Sequence, residues 1–119
     1  MLLIVEDDAE LRRLYRITLA LEGFEVREAA DGLEALIEID NAVPDLIVLD
    51  LMLPRVSGHT ILQEIAASAY TRNIPVVVVT GSTESIDHLN VACLLRKPIW
   101  TTDLVDAVYR CLEHGKPAT

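Results

Sequence analysis

Residues 45–58 read Asp-Leu-Ile-Val-Leu-Asp-Leu-Met-Leu-Pro-Arg-Val-Ser-Gly and hold the most informative pattern in the chain. Residues 46–49 are all apolar and favour β structure, as expected of a parallel strand that is covered on both faces. Asp50 follows directly. Because burying an unpaired carboxylate is costly, Asp50 either ends the strand and caps a turn or has a chemical role. Pro54 then predicts a loop, and Ser57 predicts the N-cap of a following helix.

Strands and helices are predicted to alternate along the rest of the chain. Apolar or alternating runs predict four more strands, at residues 2–5, 24–29, 76–79 and 91–95. The run at 24–29 alternates between apolar and polar residues, which is typical of an edge strand. Helical spacing predicts inward-facing stripes in four helices, formed by Leu11, Leu14, Tyr15, Thr18 and Leu21, by Leu33, Leu36, Ile37 and Ile39, by Ile61, Leu62 and Ile65, and by Leu104, Val105, Val108, Cys111 and Leu112.

The ends of these helices carry recognisable signals. Asp8 is the predicted cap of the first helix, and Gly23 is its stop. Asp31 and the glycine after it form a turn before the second helix. Thr101 or Thr102 is the predicted cap of the last helix.

Alternating apolar strands and amphipathic helices predict the α/β class, with a doubly wound, five-stranded parallel sheet and helices on both faces. The chain has 119 residues, the size of one domain, and we expect a single domain over 1–119 with a tail or linker at 115–119. Residues 82–90 give the weakest pattern and leave room for only a short helix.

The composition excludes several classes of protein. Apolar residues make up 51% and charged residues 24%, which is globular, and no apolar run is long enough to span a membrane. The formal net charge of −9 argues against direct binding of nucleic acid, which requires clustered basic residues. Cys93 and Cys111 lack metal-site spacing and are expected to be reduced thiols. The amino-terminal sequence lacks signal-peptide features, so we expect a cytoplasmic location.

Polar side chains follow four of the predicted strands: Glu6-Asp7-Asp8, Asp50, Thr80 and Lys97. The carboxyl ends of parallel strands lie along one edge of a sheet, where ligands bind. Carboxylates brought together there resist ionisation unless a positive group joins them. An all-oxygen site of this kind suits Mg²⁺, and Lys97 would add a second positive charge.

A carboxylate, a divalent ion, a lysine and a hydroxyl are the groups used in phosphoryl transfer to aspartate. Each also has a plain structural interpretation. Thr80 could be a strand-end hydroxyl, Lys97 a solvated surface charge, and residues 6–8 the start of a helix. Their occurrence at successive strand ends favours the chemical interpretation.

The chain resembles the receiver domains of two-component response regulators from Leu2 to about Glu113. Four motifs carry the resemblance, namely Ile4-Val5-Glu6-Asp7-Asp8, Val48-Leu49-Asp50-Leu51-Met52-Leu53-Pro54 with Gly58, Val78-Val79-Thr80-Gly81, and Lys97-Pro98. The resemblance implies a CheY-like, flavodoxin-like sheet of order 2-1-3-4-5. It also implies a phosphoprotein that takes part in phosphorelay signalling and is not a dedicated enzyme.

The resemblance further assigns roles to individual residues. Asp50 would be the phosphoacceptor, Glu6 and Asp7 the acidic pair, and Asp7 and Asp50 direct ligands of Mg²⁺. Met52 would offer its backbone carbonyl to the metal. By the same resemblance Thr80 and Lys97 would contact the phosphoryl group, with a cis bond expected between Lys97 and Pro98.

Two features depart from the family pattern. Leu94 lies three residues before Lys97, where the family usually has an aromatic switch residue. Only sixteen residues separate Thr80 from Lys97, so we expect the family's fourth helix to be short, irregular or missing. That helix usually contributes to output and dimerisation, and the resemblance therefore leaves homodimerisation and the output partner open.

The implied partner is a histidine kinase or a histidine phosphotransfer protein, docking on the first helix and the loop after the fifth strand. One rival interpretation is an interaction module that keeps the receiver fold and works without phosphorylation. A second is a phosphatase of the haloacid dehalogenase type, which normally needs a second aspartate two residues after the first. Met52 occupies that position, so the acid/base group is missing.

Overall fold

The computed structural model describes residues 1–82 and 91–114. Five strands form one sheet: β1 (Leu2–Val5), β2 (Val26–Ala29), β3 (Leu46–Leu49), β4 (Val76–Thr80) and β5 (Cys93–Arg96). The described helices are α1 (Ala9–Leu21), α2 (Gly32–Asn41), α3 (Gly58–Ala67) and α4 (Thr101–His114).

The strands are all parallel and lie in the order β2-β1-β3-β4-β5. This confirms the predicted doubly wound sheet and places β2 at its edge. Two predictions concern residues outside the described ranges. They are the short, irregular or missing fourth helix of the family, between Thr80 and Lys97, and the tail or linker at 115–119. The cis peptide bond expected between Lys97 and Pro98 is present.

Two apolar cores lie on opposite faces of the sheet, because successive strand residues point to opposite sides. Leu3 and Val5 pack on the face covered by α2 and α3, and Leu2 and Ile4 pack on the face covered by α1 and α4. All four side chains are buried, which explains why β1 has no polar residue.

The predicted cap and stop of α1 are confirmed. The Asp8 carboxylate accepts hydrogen bonds from the backbone N–H groups of Glu10 (3.0 Å) and Leu11 (3.2 Å). Gly23 ends the helix with a φ of 98°, a conformation that glycine adopts without steric cost. Ser57 likewise caps α3, where its hydroxyl accepts a hydrogen bond from the N–H of Thr60.

The predicted cap of α4 was wrong by one or two positions. The helix begins at Thr101, and the preceding Trp100 donates its backbone N–H to the Asp103 carboxylate at 3.0 Å. The Asp103 carboxylate, in the first turn, thus pairs with the N–H of the residue that precedes the helix, as the acidic residue of a capping box does.

Several residues of the predicted helix stripes are exposed. In α1, Tyr15 and Leu19 are buried, whereas Leu14 and Leu21 face outward. In α2 the buried residues include Ala35 and Ile39, and the exposed ones are Leu33 and Ile37; Leu112 of α4 is also exposed. Each helix packs on the sheet along one side only, so a strip of positions three or four residues apart is buried and some flanking apolar positions are not.

Candidate functional site

The polar residues predicted at the strand ends do share one edge of the sheet. The backbone N–H of Glu6 donates to the carbonyl of Ala29 at the end of β2, and that of Asp50 donates to Val5 at the end of β1. On the other side, the N–H of Lys97 donates to the carbonyl of Thr80 at 2.9 Å. Backbone hydrogen bonds thus fix Glu6, Asp50 and Lys97 in neighbouring positions just beyond the strands.

Three carboxylates meet at this edge. One carboxylate oxygen from each of Glu6, Asp7 and Asp50 can be chosen so that all lie within 4.8 Å of one another. Glu6 and Asp50 are only 2% and 5% exposed, whereas Asp7 is open to solvent. The set is made of hard oxygen donors and is partly open, and it therefore fits Mg²⁺, which is usually bound by one or two carboxylates together with waters.

Lys97 joins two of these carboxylates. Its Nζ donates to Glu6 Oε1 at 2.5 Å and to Asp50 Oδ2 at 2.9 Å. Burial by itself would lower the pKa of Lys97, but the hydrogen bonds to Asp50 and Glu6 and their charges outweigh it and raise the pKa. Lys97 is therefore a permanent cation at this edge of the sheet.

Glu6 is held by Asp8, the cap of α1, and by Arg12 of α1, as well as by Lys97. Its Oε2 accepts the backbone N–H of Asp8 at 3.1 Å, and its carbonyl accepts a hydrogen bond from the Arg12 guanidinium at 2.8 Å. Burial raises the pKa of Glu6, and the hydrogen bonds from Lys97 and Asp8 oppose that rise. Arg12 could not be predicted as a neighbour of the site, because its only signal in the sequence is its place one helical turn after the Asp8 cap.

Met52 and Thr80 complete the set of predicted residues. The backbone N–H of Met52 donates to Asp50 Oδ1 at 2.9 Å, while its side chain is 61% exposed. Thr80 is fully buried, and its hydroxyl accepts the backbone N–H of Ser82 at 3.2 Å. Thr80 thus reaches the site through its place at the end of β4 and its backbone contact with Lys97.

A groove of about 370 Å³ lies beside the cluster. It is bounded by α1 and by the loop after β5, and its lining residues are Leu11, Leu14, Tyr15, Lys97, Pro98 and Ile99. These are the two segments that the sequence analysis names as a docking surface. The apolar residues of the groove therefore lie next to Lys97, which contacts Asp50 directly.

Comparison with known protein families identifies the class of protein to which this fold belongs. The family described as "Response regulator receiver domain" matches residues 2–109. The chain belongs to this family of two-component signalling domains.

Individual relatives extend the comparison. The phosphate regulon transcriptional regulatory protein PhoB of Rhizobium meliloti is 33% identical over 119 residues, which cover 96% of this chain and 52% of PhoB. The DNA-binding dual master transcriptional regulator RpaA of Synechocystis sp. is 39% identical over 67% of this chain and 33% of its own length. The chain thus spans about a third to a half of the length of these curated relatives.

A solved structure gives the same result for the fold. The CheY-like response regulator receiver domain protein of Methanospirillum hungatei has a TM-score of 0.87 at 26% identity, covering 95% of this chain and 93% of that one.

Among the described residues, none of the helices combines the length and the apolar character needed to cross a membrane.

Proposed function

We propose that this chain is a phosphoacceptor receiver, in which Asp50 takes a phosphoryl group from the histidine of a kinase or phosphotransfer protein. The observation that carries the proposal is the double contact of Lys97 with Glu6 and Asp50, beside the exposed carboxylate of Asp7. Two buried carboxylates with one lysine retain negative charge, and Asp7 adds to it. Such an arrangement is unfavourable for stability alone and suits a site that receives a cation.

In the proposed reaction a carboxylate oxygen of Asp50 bonds to phosphorus as the bond from phosphorus to the donor's imidazole nitrogen breaks. The electron pair of the breaking bond returns to that nitrogen. Lys97 already contacts Oδ2 of Asp50, so its ammonium group lies where negative charge is transferred. The Thr80 hydroxyl is proposed to hold a phosphoryl oxygen.

Mg²⁺ would be held by the carboxylates of Asp7 and Asp50 and by the backbone carbonyl of Met52, with Glu6 alongside. When bound, the ion offsets the negative charge of the phosphoryl oxygens and of the acidic residues. Met52 donates its N–H to Asp50, which places this backbone segment against the acceptor carboxylate. The charge and the oxygen donors of the described residues support this assignment.

We further propose that the groove between α1 and the loop after β5 receives the phosphodonor protein. The groove is mostly apolar and Lys97 is one of its lining residues, so a partner seated in it would lie close to Asp50. A cytoplasmic location, and the absence of direct nucleic-acid binding expected from the net charge of −9, are parts of the same proposal.

Intact-mass measurement tests the acceptor chemistry. The protein is incubated with acetyl phosphate, with and without Mg²⁺, alongside the Asp50→Asn variant and an Asp40→Asn control, in which an exposed aspartate of α2 is changed. We expect Mg²⁺-dependent addition of one phosphoryl group to the wild type and to the control, and none to Asp50→Asn.

Equal addition to Asp50→Asn would contradict the assignment of the acceptor. If neither acetyl phosphate nor a phosphorylated histidine phosphotransfer protein modified the wild type, the interaction module that works without phosphorylation would be the better description. Leu94 favours that alternative, since an aliphatic side chain, partly buried against the apolar core, occupies the position where the family usually has its aromatic switch.

A further inference from the structure

The loop that follows Asp50 is held at its far end by a backbone hydrogen bond. We call residues 51–57 the acceptor loop, which joins β3 to α3. The backbone N–H of Gly58 donates to the carbonyl of Leu51 at 3.1 Å, so the loop closes on its own beginning. A Cβ atom at Gly58 would lie 2.5 Å from the Leu51 Cα and 2.6 Å from the Asp50 carbonyl oxygen, too close for any other residue.

The start of α2 also contacts this loop. The N–H of Gly32 approaches the carbonyl of Pro54 at 3.5 Å, and a Cβ atom at Gly32 would lie 1.9 Å from the carbonyl oxygen of Val56. The backbones of α2 and the acceptor loop are therefore in direct contact. Any shift of the loop toward α2 is blocked, and a shift away from α2 would have to break other contacts.

The Asp31–Arg55 ion pair resists that outward shift. Asp31 Oδ2 accepts a hydrogen bond from the Arg55 guanidinium at 3.1 Å, and Asp31 Oδ1 caps α2 through the N–H of Glu34 at 2.9 Å. The Asp31 side chain is 11% exposed, so this carboxylate is shielded from solvent although Arg55 is not. The cap holds Asp31 in place, and Asp31 in turn holds the acceptor loop.

Arg55 also has an unusual backbone conformation. Its φ is 69°, in the left-handed region that residues with a Cβ atom rarely adopt. Arg55 makes its contact with Asp31 from this conformation, so the ion pair and the unusual backbone geometry of the loop occur at the same residue.

We infer that the Asp31–Arg55 pair positions the acceptor loop so that the Met52 carbonyl and the Asp50 carboxylate face the same Mg²⁺. The inference rests on the proposed function. Met52 links the pair to the site, because its N–H donates to Asp50 Oδ1 and it lies three residues before Arg55. Asp31 and Arg55 are positioning residues, since they act on the metal site only through the loop.

A simple electrostatic effect predicts a different result, which makes the inference testable. If the pair acted only through its charges, removing the cation Arg55 would strengthen Mg²⁺ binding and removing the anion Asp31 would weaken it. If the pair positions the loop, removing either partner weakens binding. The two explanations therefore predict opposite changes in Mg²⁺ affinity when Arg55 is removed.

The test measures Mg²⁺ dissociation constants by calorimetry for the full chain with Asp31→Asn, Arg55→Asn and both changes. Asparagine keeps the helix cap at position 31 and tolerates a positive φ at position 55. Glu38→Gln is the matched control, because Glu38 lies in α2, the helix that Asp31 caps. Its ion pair is with Arg27 of β2, at 3.5 Å, and does not involve the acceptor loop. Thermal unfolding of every variant is recorded in parallel.

We expect each single change to weaken Mg²⁺ binding about three- to fivefold, the size of one partly shielded ion pair. The double variant should bind no more weakly than the weaker single variant, because both changes break the same contact. Arg55→Lys, which keeps the positive charge, should retain most of the wild-type affinity for Mg²⁺. Glu38→Gln should leave that affinity unchanged.

Tighter binding by Arg55→Asn would overturn the inference in favour of a charge effect. Unchanged dissociation constants with lowered unfolding temperatures would overturn it in favour of a purely structural pair. Failure of the wild-type chain to bind Mg²⁺ would overturn the proposed metal site itself, and this outcome is distinguishable because it appears before any variant is compared.

Discussion

Two three-membered ion clusters occur among the residues that the structure describes, and they differ in burial and in the sign of their net charge. The Lys97 cluster consists of Lys97, Glu6 and Asp50, and its two carboxylates are buried. The Glu28 cluster consists of Glu28 with Arg12 and Arg16, at 3.3 Å and 3.0 Å, and all its side chains are partly exposed.

The difference between the clusters indicates which of them is a candidate for chemistry. Solvent screens the Glu28 cluster, so its excess positive charge costs little and its contacts contribute little. The Lys97 cluster has one cation for two buried carboxylates, with Asp7 adding further negative charge nearby. Excess charge of one sign in a buried place is expensive unless a ligand of the opposite sign compensates it.

The largest expected effect on stability comes from removing the cation of the Lys97 cluster. Lys97→Met leaves the Glu6 and Asp50 carboxylates without their partner, and we expect the free energy of unfolding without Mg²⁺ to fall by about 2 kcal/mol. Urea denaturation followed by circular dichroism measures this change. Added Mg²⁺ should stabilise the variant more than the wild type, because the ion compensates the same carboxylates. Unchanged stability without Mg²⁺ would show that Lys97 is only a surface charge.

The next effect concerns the exposed member of the acidic set. Asp7→Asn removes one charged oxygen donor, and we expect the Mg²⁺ dissociation constant to rise about tenfold with little change in stability. Calorimetric titration measures it, with Glu10→Gln as the control for loss of a nearby acidic charge on α1. Equal affinities of the wild type and Asp7→Asn would remove Asp7 from the metal site.

The smallest effect is expected in the Glu28 cluster. Arg16→Met should change the free energy of unfolding by about 0.5 kcal/mol or less, because the pair is partly exposed and Glu28 keeps its contact with Arg12. Urea denaturation compares this variant directly with Lys97→Met. A loss as large as that of Lys97→Met would contradict the distinction between the two clusters.

The sequence alone could predict the parts of the fold that depend on local patterns. The all-apolar runs of β1, β3 and β4 indicate parallel strands that are buried on both faces. The caps Asp8 and Ser57 act within one turn of their helices, so a local pattern is enough to predict them. The shared strand edge follows from parallel pairing and therefore brought Glu6 and Asp50 together in the prediction.

Features that depend on tertiary placement could not be predicted in this way. Leu14 and Ile37 lie at apolar positions of their helices, but the packing angle against the sheet leaves them exposed. The contact of Lys97 with Glu6 joins residues 91 positions apart, and no local signal specifies its geometry. The functional roles assigned to the site residues remain predictions from family resemblance and chemistry.

Locating the phosphoryl group in the chain tests whether Asp50 is the acceptor. The full chain is phosphorylated with acetyl phosphate and Mg²⁺ and then treated with borohydride, which reduces an aspartyl phosphate to homoserine, and the modified position is read by peptide mass spectrometry. We expect homoserine at position 50 and at no other aspartate. Homoserine at another aspartate, with position 50 unmodified, would contradict it.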